Sequence, residues 1–355
     1  LLMGPIGYFF SRFYKFLDNN HINVYKLSLP LYEYGFKKED RIFFNRDMEY
    51  FRSFLIDLIY RYKIKYIFMY CDFILPHKIA IDTCKELRLN GYDIYAYIFE
   101  LGYLRPNYIT LEENSCNCRS TLNKNSTFYN NLPKVKSILN TPRKPGQRLW
   151  KIWKVPTFIS HSFTNYRIIN EYHKLQPRVV DIWHQIKGFL LKYFFWFTEY
   201  KIRKNLYNGN DFYLVILQVS SDSQISTGSD FSSVEEFITK VFTSFVSFKP
   251  ENTNLFIKHH PRDRGYNNYS NLIKKLNHRF QATNHVYYFH DSKISSILSN
   301  KKCKGVVMIN SSVGYQVLYH RIPLKSLGIA PYNIEGLSDQ IDLDEFWIKP
   351  SPPYR

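Results

Sequence analysis

Lys258, His259, His260, Arg262 and Arg264 fall within seven residues, with Pro261 among them. The apolar triplet Leu255, Phe256, Ile257 runs straight into this cluster and reads as a short buried strand that proline stops by removing a backbone donor. Imidazole, ammonium and guanidinium groups beyond the carboxyl end of a strand suit a phosphate or a sugar carboxylate, and open α/β sheets bind ligands at that end. The plain alternative is a solvated basic loop. A second strand end of the same kind weighs against it. Residues 305–309 are a continuous apolar run, as a strand buried on both faces should be, followed at once by Asn310, Ser311, Ser312, Val313 and Gly314. Hydroxyls and free N–H groups at a helix start favour anions. The two ends together predict a nucleotide-phosphate pocket drawn from Lys258, His259, His260, Pro261, Asn310, Ser311 and Ser312.

A third strand end carries a carboxylate. Asp222 follows the strand pattern at 212–218 and stands between Gln218 and Gln224. Amides on both sides can orient it as a nucleophile or base, although Asp-Ser loops are also common turn formers. Its weight comes from company: the ends at Asp222, His260 and Ser311 would face one crevice. Further upstream, a strand at 92–99 ends in Glu100, Leu101, Gly102, Tyr103, Leu104, Arg105 and Pro106. Glu100 and Arg105 make either a mouth for a cleft or an internal ion pair that pins a loop. The His and Asp residues lie in scattered loops without H-x-x-x-H or D-x-D spacing, so neither a metal nor a cofactor is expected.

These groups need elements to hold them. Strand patterns at 23–29, 66–70 and 92–99 alternate with helical ones at 9–19, 50–62 and 76–89. After Asn208-Gly209-Asn210 the alternation resumes: strands at 212–218, 255–257, 286–289 and 305–309, and helices at 234–248, 269–276, 293–298, 315–320 and 337–347. Ser232 and Ser233 followed by Glu235 and Glu236 mark a helix start. Alternation of this kind implies parallel sheets. The expected class is α/β, with two Rossmann-like domains facing across a cleft: 1–207, 208–338, and a C-terminal tail, 339–355, packing back toward the first.

Length and composition set bounds. The chain has 355 residues, a soft prior for two domains, and 45% hydrophobic content, enough for two cores. Its formal net charge of +18 calls for an anionic partner: an acidic substrate, an anionic membrane or nucleic acid. The five cysteines, an odd number without zinc-finger spacing, read as reduced thiols of a cytoplasmic protein. The start shows no signal-peptide pattern and looks clipped. No apolar run reaches about 18 residues, so no transmembrane helix is expected. Residues 114–160 read as a long loop region, and 166–206 as helical. Within the latter, 182–204 interleaves Trp183, Phe189, Tyr193, Trp196 and Phe197 with lysines and arginines. That composition suits an interfacial helix on an anionic membrane, or a helix buried between domains.

Several longer motifs carry a resemblance. They are Leu217-Gln218 with Asp222 and Gln224; Lys258-His-His-Pro with Asp263-Arg264-Gly265; Ile309-Asn-Ser-Ser-Val-Gly314; Tyr332-Asn-Ile-Glu-Gly-Leu337; and Phe346-Trp347. Near the start stand Gly4-Pro-Ile-Gly7-Tyr-Phe-Phe and, later, Glu100-Leu-Gly-Tyr-Leu-Arg-Pro. Over nearly its whole length the chain resembles the bacterial capsular polysaccharide Kdo transferases, in the single-module form that starts the lipid linker. The resemblance implies a GT-B fold and a CMP-Kdo donor. It also implies β-Kdo transfer with retention to a phosphatidylglycerol-type lipid, by a protein peripheral on the cytoplasmic face of the inner membrane, with other capsule assembly proteins as partners and no nucleic acid. Carried over by position, His260, Ser311 and Ser312 would bind the CMP phosphate, with Lys258 adding charge, and Asp222 would be the catalytic carboxylate. Glu100 would be acid/base or acceptor-binding, because Leu101 replaces a second acid of the family pattern. Gly4, Gly7, Tyr103 and Arg105 would line the acceptor side. Retention implies two displacements and hence a covalent nucleophile. Two rivals stand beside this reading: a sialyltransferase-like enzyme using another CMP-sugar, and a non-enzymatic basic protein binding nucleic acid or membrane.

Overall fold

A computed structural model describes residues 1–4, 8–28, 36–103, 108–133 and 179–353. Gly7 and Arg105, and most of the loop expected at 114–160, lie outside the described residues. The chain divides into two compact units, the described residues 1–116 and then 117–133 with 179–353.

The first unit runs β1 (Leu2–Met3), α1 (Tyr8–Asn19), β2 (Lys26–Ser28), β3 (Arg41–Phe43), α2 (Phe51–Arg61), β4 (Tyr66–Tyr70), α3 (Leu75–Leu89), β5 (Tyr95–Leu101) and β6 (Ile109–Glu113). Its six strands lie in the order β3-β2-β1-β4-β5-β6. All pairings are parallel except β5 with β6. Parallel strands with helical crossovers make this a Rossmann-like unit. At the end of β1, Gly4 lets the Phe10 ring of α1 close in, since a Cβ there would sit 2.2 Å from it.

The second unit holds α4 (Ser126–Asn130), α5 (Val179–Thr198), α6 (Tyr200–Asn208), β7 (Asp211–Ile216), α7 (Ser223–Gly228), α8 (Val234–Phe248), β8 (Thr253–Lys258), α9 (Ser270–Phe280), β9 (Val286–Phe289), α10 (Ile294–Leu298), β10 (Cys303–Met308), α11 (Gly314–Tyr319), β11 (Leu324–Ser326) and α12 (Leu343–Ile348). Its five strands are all parallel, in the order β11-β10-β7-β8-β9. Successive side chains point to opposite faces, so one apolar strand feeds two cores. Tyr213, Val215, Leu255, Ile257 and Val307 pack with Phe237, Val241 and Phe245 of α8. Leu214, Ile216, Phe256 and Met308 pack on the other face with Leu206, Ile297 and Val317. The helix start expected at Ser233 is capped: Ser233 Oγ accepts the Glu236 N–H at 3.2 Å, and Glu236 reaches back to the N–H of Ser232, just before the cap, at 2.8 Å.

Two expectations need correction. Residues 179–207 were assigned to the first domain, but α5 and α6 cluster with the second unit, because Leu206 is buried under its sheet. The closing helix spans Leu343–Ile348 rather than 337–347, and it packs on α8. Phe346 and Trp347 belong to the α8 core, and the Trp347 indole donates to Ser244 Oγ at 2.7 Å. Ahead of it, the Asp339 side chain accepts from the backbone N–H groups of Ile341 and Ser351, a local pairing that competes with helix. Among the described residues, no helix is long and apolar enough to cross a membrane.

Candidate active site

Strand order in the second unit reverses at β7, which has β10 on one side and β8 on the other. Open parallel sheets bind ligands beyond the carboxyl ends at such a switch point. Three predicted loops leave from there, because Ile216 at the end of β7 pairs with both Met308 and Lys258.

Side chains tie the β7 and β10 loops together. Gln218 is buried; its Oε1 accepts the Asn310 N–H at 3.1 Å, and its Nε2 donates to Asp222 Oδ2 at 3.2 Å. Asn310 donates from Nδ2 to Gln224 O at 2.9 Å. Its Oδ1 is buried without a hydrogen-bond partner among the described residues. Asp222 is half-buried and caps α7 by accepting the Gln224 N–H at 3.0 Å. The carboxylate is therefore held by two donors in one orientation. The Gln224 side chain instead accepts from Cys118 N at 3.3 Å, anchoring the 117–119 segment. Ser311 and Ser312 are half-buried just beyond β10, with Ser311 Oγ accepting the Val313 N–H at 3.3 Å.

The β8 loop is locked to β7 by Asp263, which sequence reasoning quoted but gave no role. Asp263 accepts from Ser220 N at 3.2 Å, Ser220 Oγ at 3.0 Å and Tyr269 OH at 3.2 Å. In this loop His260 Nδ1 accepts the Arg262 N–H at 3.2 Å, which leaves the ring proton on Nε2. Burial, then Lys258 and Arg262, pushes the His260 pKa down to about 4, so at neutral pH His260 is an uncharged Nε2–H donor. Lys258 is only 3% exposed, and burial lowers its pKa to about 8. His259 faces inward: its Nδ1 meets Tyr288 OH at 2.7 Å, and burial pushes its pKa down to about 3. Pro261 is exposed.

Behind this loop lies an arrangement that sequence reasoning missed. The buried Glu199 carboxylate, between α5 and α6, takes the His290 backbone N–H at 2.9 Å and faces its Nδ1. Glu199 is the lone acid in 182–208, and an acid inside a basic aromatic stretch was the available signal.

In the first unit, Glu100 lies within β5 rather than beyond a strand end; its Oε1 accepts from Tyr70 OH at 3.0 Å and Leu101 N at 2.8 Å. Tyr103 OH donates to Glu112 at 2.7 Å. The Gly4 carbonyl accepts from the buried Lys26 ammonium at 3.3 Å.

The profile of the capsule polysaccharide biosynthesis protein family matches residues 75–355. The chain belongs to this family. The capsule polysaccharide export protein KpsS of Escherichia coli is 33% identical over 98% of the chain and 88% of its own length. The capsule polysaccharide modification protein LipB of Neisseria meningitidis serogroup A is 32% identical over 99% of the chain and 85% of its own length. Among solved structures, KpsC of Thermosulfurimonas dismutans, a beta Kdo 2,7 transferase, matches at a TM-score of 0.42 and 14% identity, over 90% of this chain and 88% of that one. The switch-point residues all lie within the stretch that the capsule family profile matches.

Proposed function

We propose that this capsule family member is a GT-B glycosyltransferase. In this reading it moves Kdo from CMP-Kdo to a phosphatidylglycerol-type lipid with retention and starts the lipid linker of a capsular polysaccharide. The observation that carries the proposal is Asp222, held by Gln218 beside the β10 serines, with His260 as a neutral donor on the neighbouring strand end. In the first displacement an Asp222 oxygen attacks the anomeric carbon, and the bond from that carbon to the CMP phosphate oxygen breaks. Negative charge grows on CMP, where the Nε2–H of His260 and the Ser311 and Ser312 hydroxyls meet it. In the second, an acceptor hydroxyl attacks the same carbon, the ester to Asp222 breaks, and the hydroxyl proton passes to a general base. Protein groups, not a metal, carry the phosphate charge. The protein works at the cytoplasmic face of the inner membrane, where its acceptor and other capsule assembly proteins are found.

The test is to incubate the purified protein with CMP-Kdo made in situ and a short-chain fluorescent phosphatidylglycerol. A product heavier by one Kdo supports the reading. CMP binding without product redirects it to another CMP-sugar, and no CMP binding overturns it.

A further inference from the structure

We infer that the outward face of α5 docks on an anionic phospholipid surface, and that the helix holds the His-Pro loop at that surface. The inference rests on the proposed lipid acceptor only for why such a surface matters. At about 100° per residue, Trp183, Phe189, Tyr193, Phe194, Trp196 and Phe197 fall within roughly 160° of arc, and all are exposed, Trp183 at 66% and Phe197 at 70%. Lys187 and Lys192 flank that arc on its two sides and are exposed. Lys201, Arg203 and Lys204 follow directly. An apolar, aromatic face rimmed by lysines matches the boundary between acyl chains and anionic headgroups. A second copy pairing through this face would bring lysine rims together, and Glu199, the lone acid of 182–208, is buried on the opposite side.

That opposite side is seated on the loop. His184 Nδ1 donates to Gly265 O at 3.0 Å, and the Arg264 guanidinium donates to Gly188 O at 3.2 Å. A Cβ on Gly265 would lie 1.9 Å from His184 O, so helix and loop meet backbone to backbone. Phe195 stacks on His290, which Glu199 also grips. The loop is thus one helix diameter, roughly 10 Å, from whatever the aromatic face touches, within reach of a lipid headgroup that stays in its bilayer.

The experiment is co-sedimentation of the full chain with phosphatidylglycerol/phosphatidylcholine vesicles at low salt, alongside quenching of tryptophan fluorescence by brominated lipid. We expect capture and quenching, with phosphatidylcholine alone capturing little. Phe189→Ser with Phe197→Ser should lower capture about tenfold or more while leaving the thermal melt unchanged. Lys187→Gln with Lys192→Gln should flatten its salt dependence. No capture, capture that survives the serine variant, or a dimer that the serine variant dissociates would each overturn the inference. Failure of the transferase reading looks different: no transfer to any acceptor, with capture still lost in the serine variant.

Discussion

His260 shows how backbone geometry selects chemistry. With Nδ1 occupied by the Arg262 N–H and protonation driven down by burial and neighbouring cations, the ring presents a hydrogen-bond donor without a charge. Such a group meets charge that develops on a leaving phosphate without holding the product tightly. Loss of one preorganised donor costs roughly 10²–10³ in kcat. We therefore expect His260→Ala to lower kcat by about that factor, and Asp222→Asn to lower it by roughly 10³ or more with CMP affinity changed only a few-fold; near-normal turnover in Asp222→Asn would remove it as nucleophile. The buried imidazoles also make stability depend on pH. His259 titrates at about 3 in the folded chain and at about 6.5 unfolded. As pH falls through this window the unfolded chain takes up a proton that the folded one refuses, so stability present above about 6.5 is lost toward 3. Denaturant midpoints measured from pH 7 to 4.5 should fall, and His259→Phe should flatten the slope. At this scale the sequence showed which residues cluster but not which way each faces. Lys258 and His259 are as basic in the sequence as His260, yet they point into the interior, which only packing decides.

At the scale of elements, legibility followed the physics of each boundary. Helix α8 spans the predicted residues because a serine cap starts it and an apolar stripe continues it. The tail helix was read six residues too early because Asp339 turns back on its own backbone. Strands β3 and β6 escaped notice: β3 is three residues long, and β6 is a partly exposed edge with the sequence Ile-Thr-Leu-Glu-Glu. Ser233→Ala should cost about 1 kcal/mol by removing the cap, checked by urea denaturation. Trp347→Ala, which empties an aromatic cluster and removes the indole donor to Ser244 Oγ, should cost roughly 3–5 kcal/mol.

Across the whole molecule, alternation made the α/β class and both Rossmann-like units readable, since a strand buried on two faces must be apolar throughout. Chain path was not readable in the same way: nothing in 117–133 announces that it belongs with the residues from 179 onward. The functional reading adds one prediction here. If side chains alone take the phosphate charge, turnover should be unchanged by EDTA, and a large loss restored by added divalent cation would refute that.

The return of 117–133 has a further consequence. Cys118 supplies an N–H to Gln224, and the Lys124 ammonium caps the Ala330 carbonyl at 2.6 Å, so part of the second unit is written upstream of its own first strand. A gene fragment cut at residue 208 would encode all five strands of that sheet and still lack α5, α6 and this brace. The unit is therefore not a cassette: a chimaera that exchanges it between capsule family members by a single crossover at that point should misassemble, and a working exchange needs two separated segments to travel together.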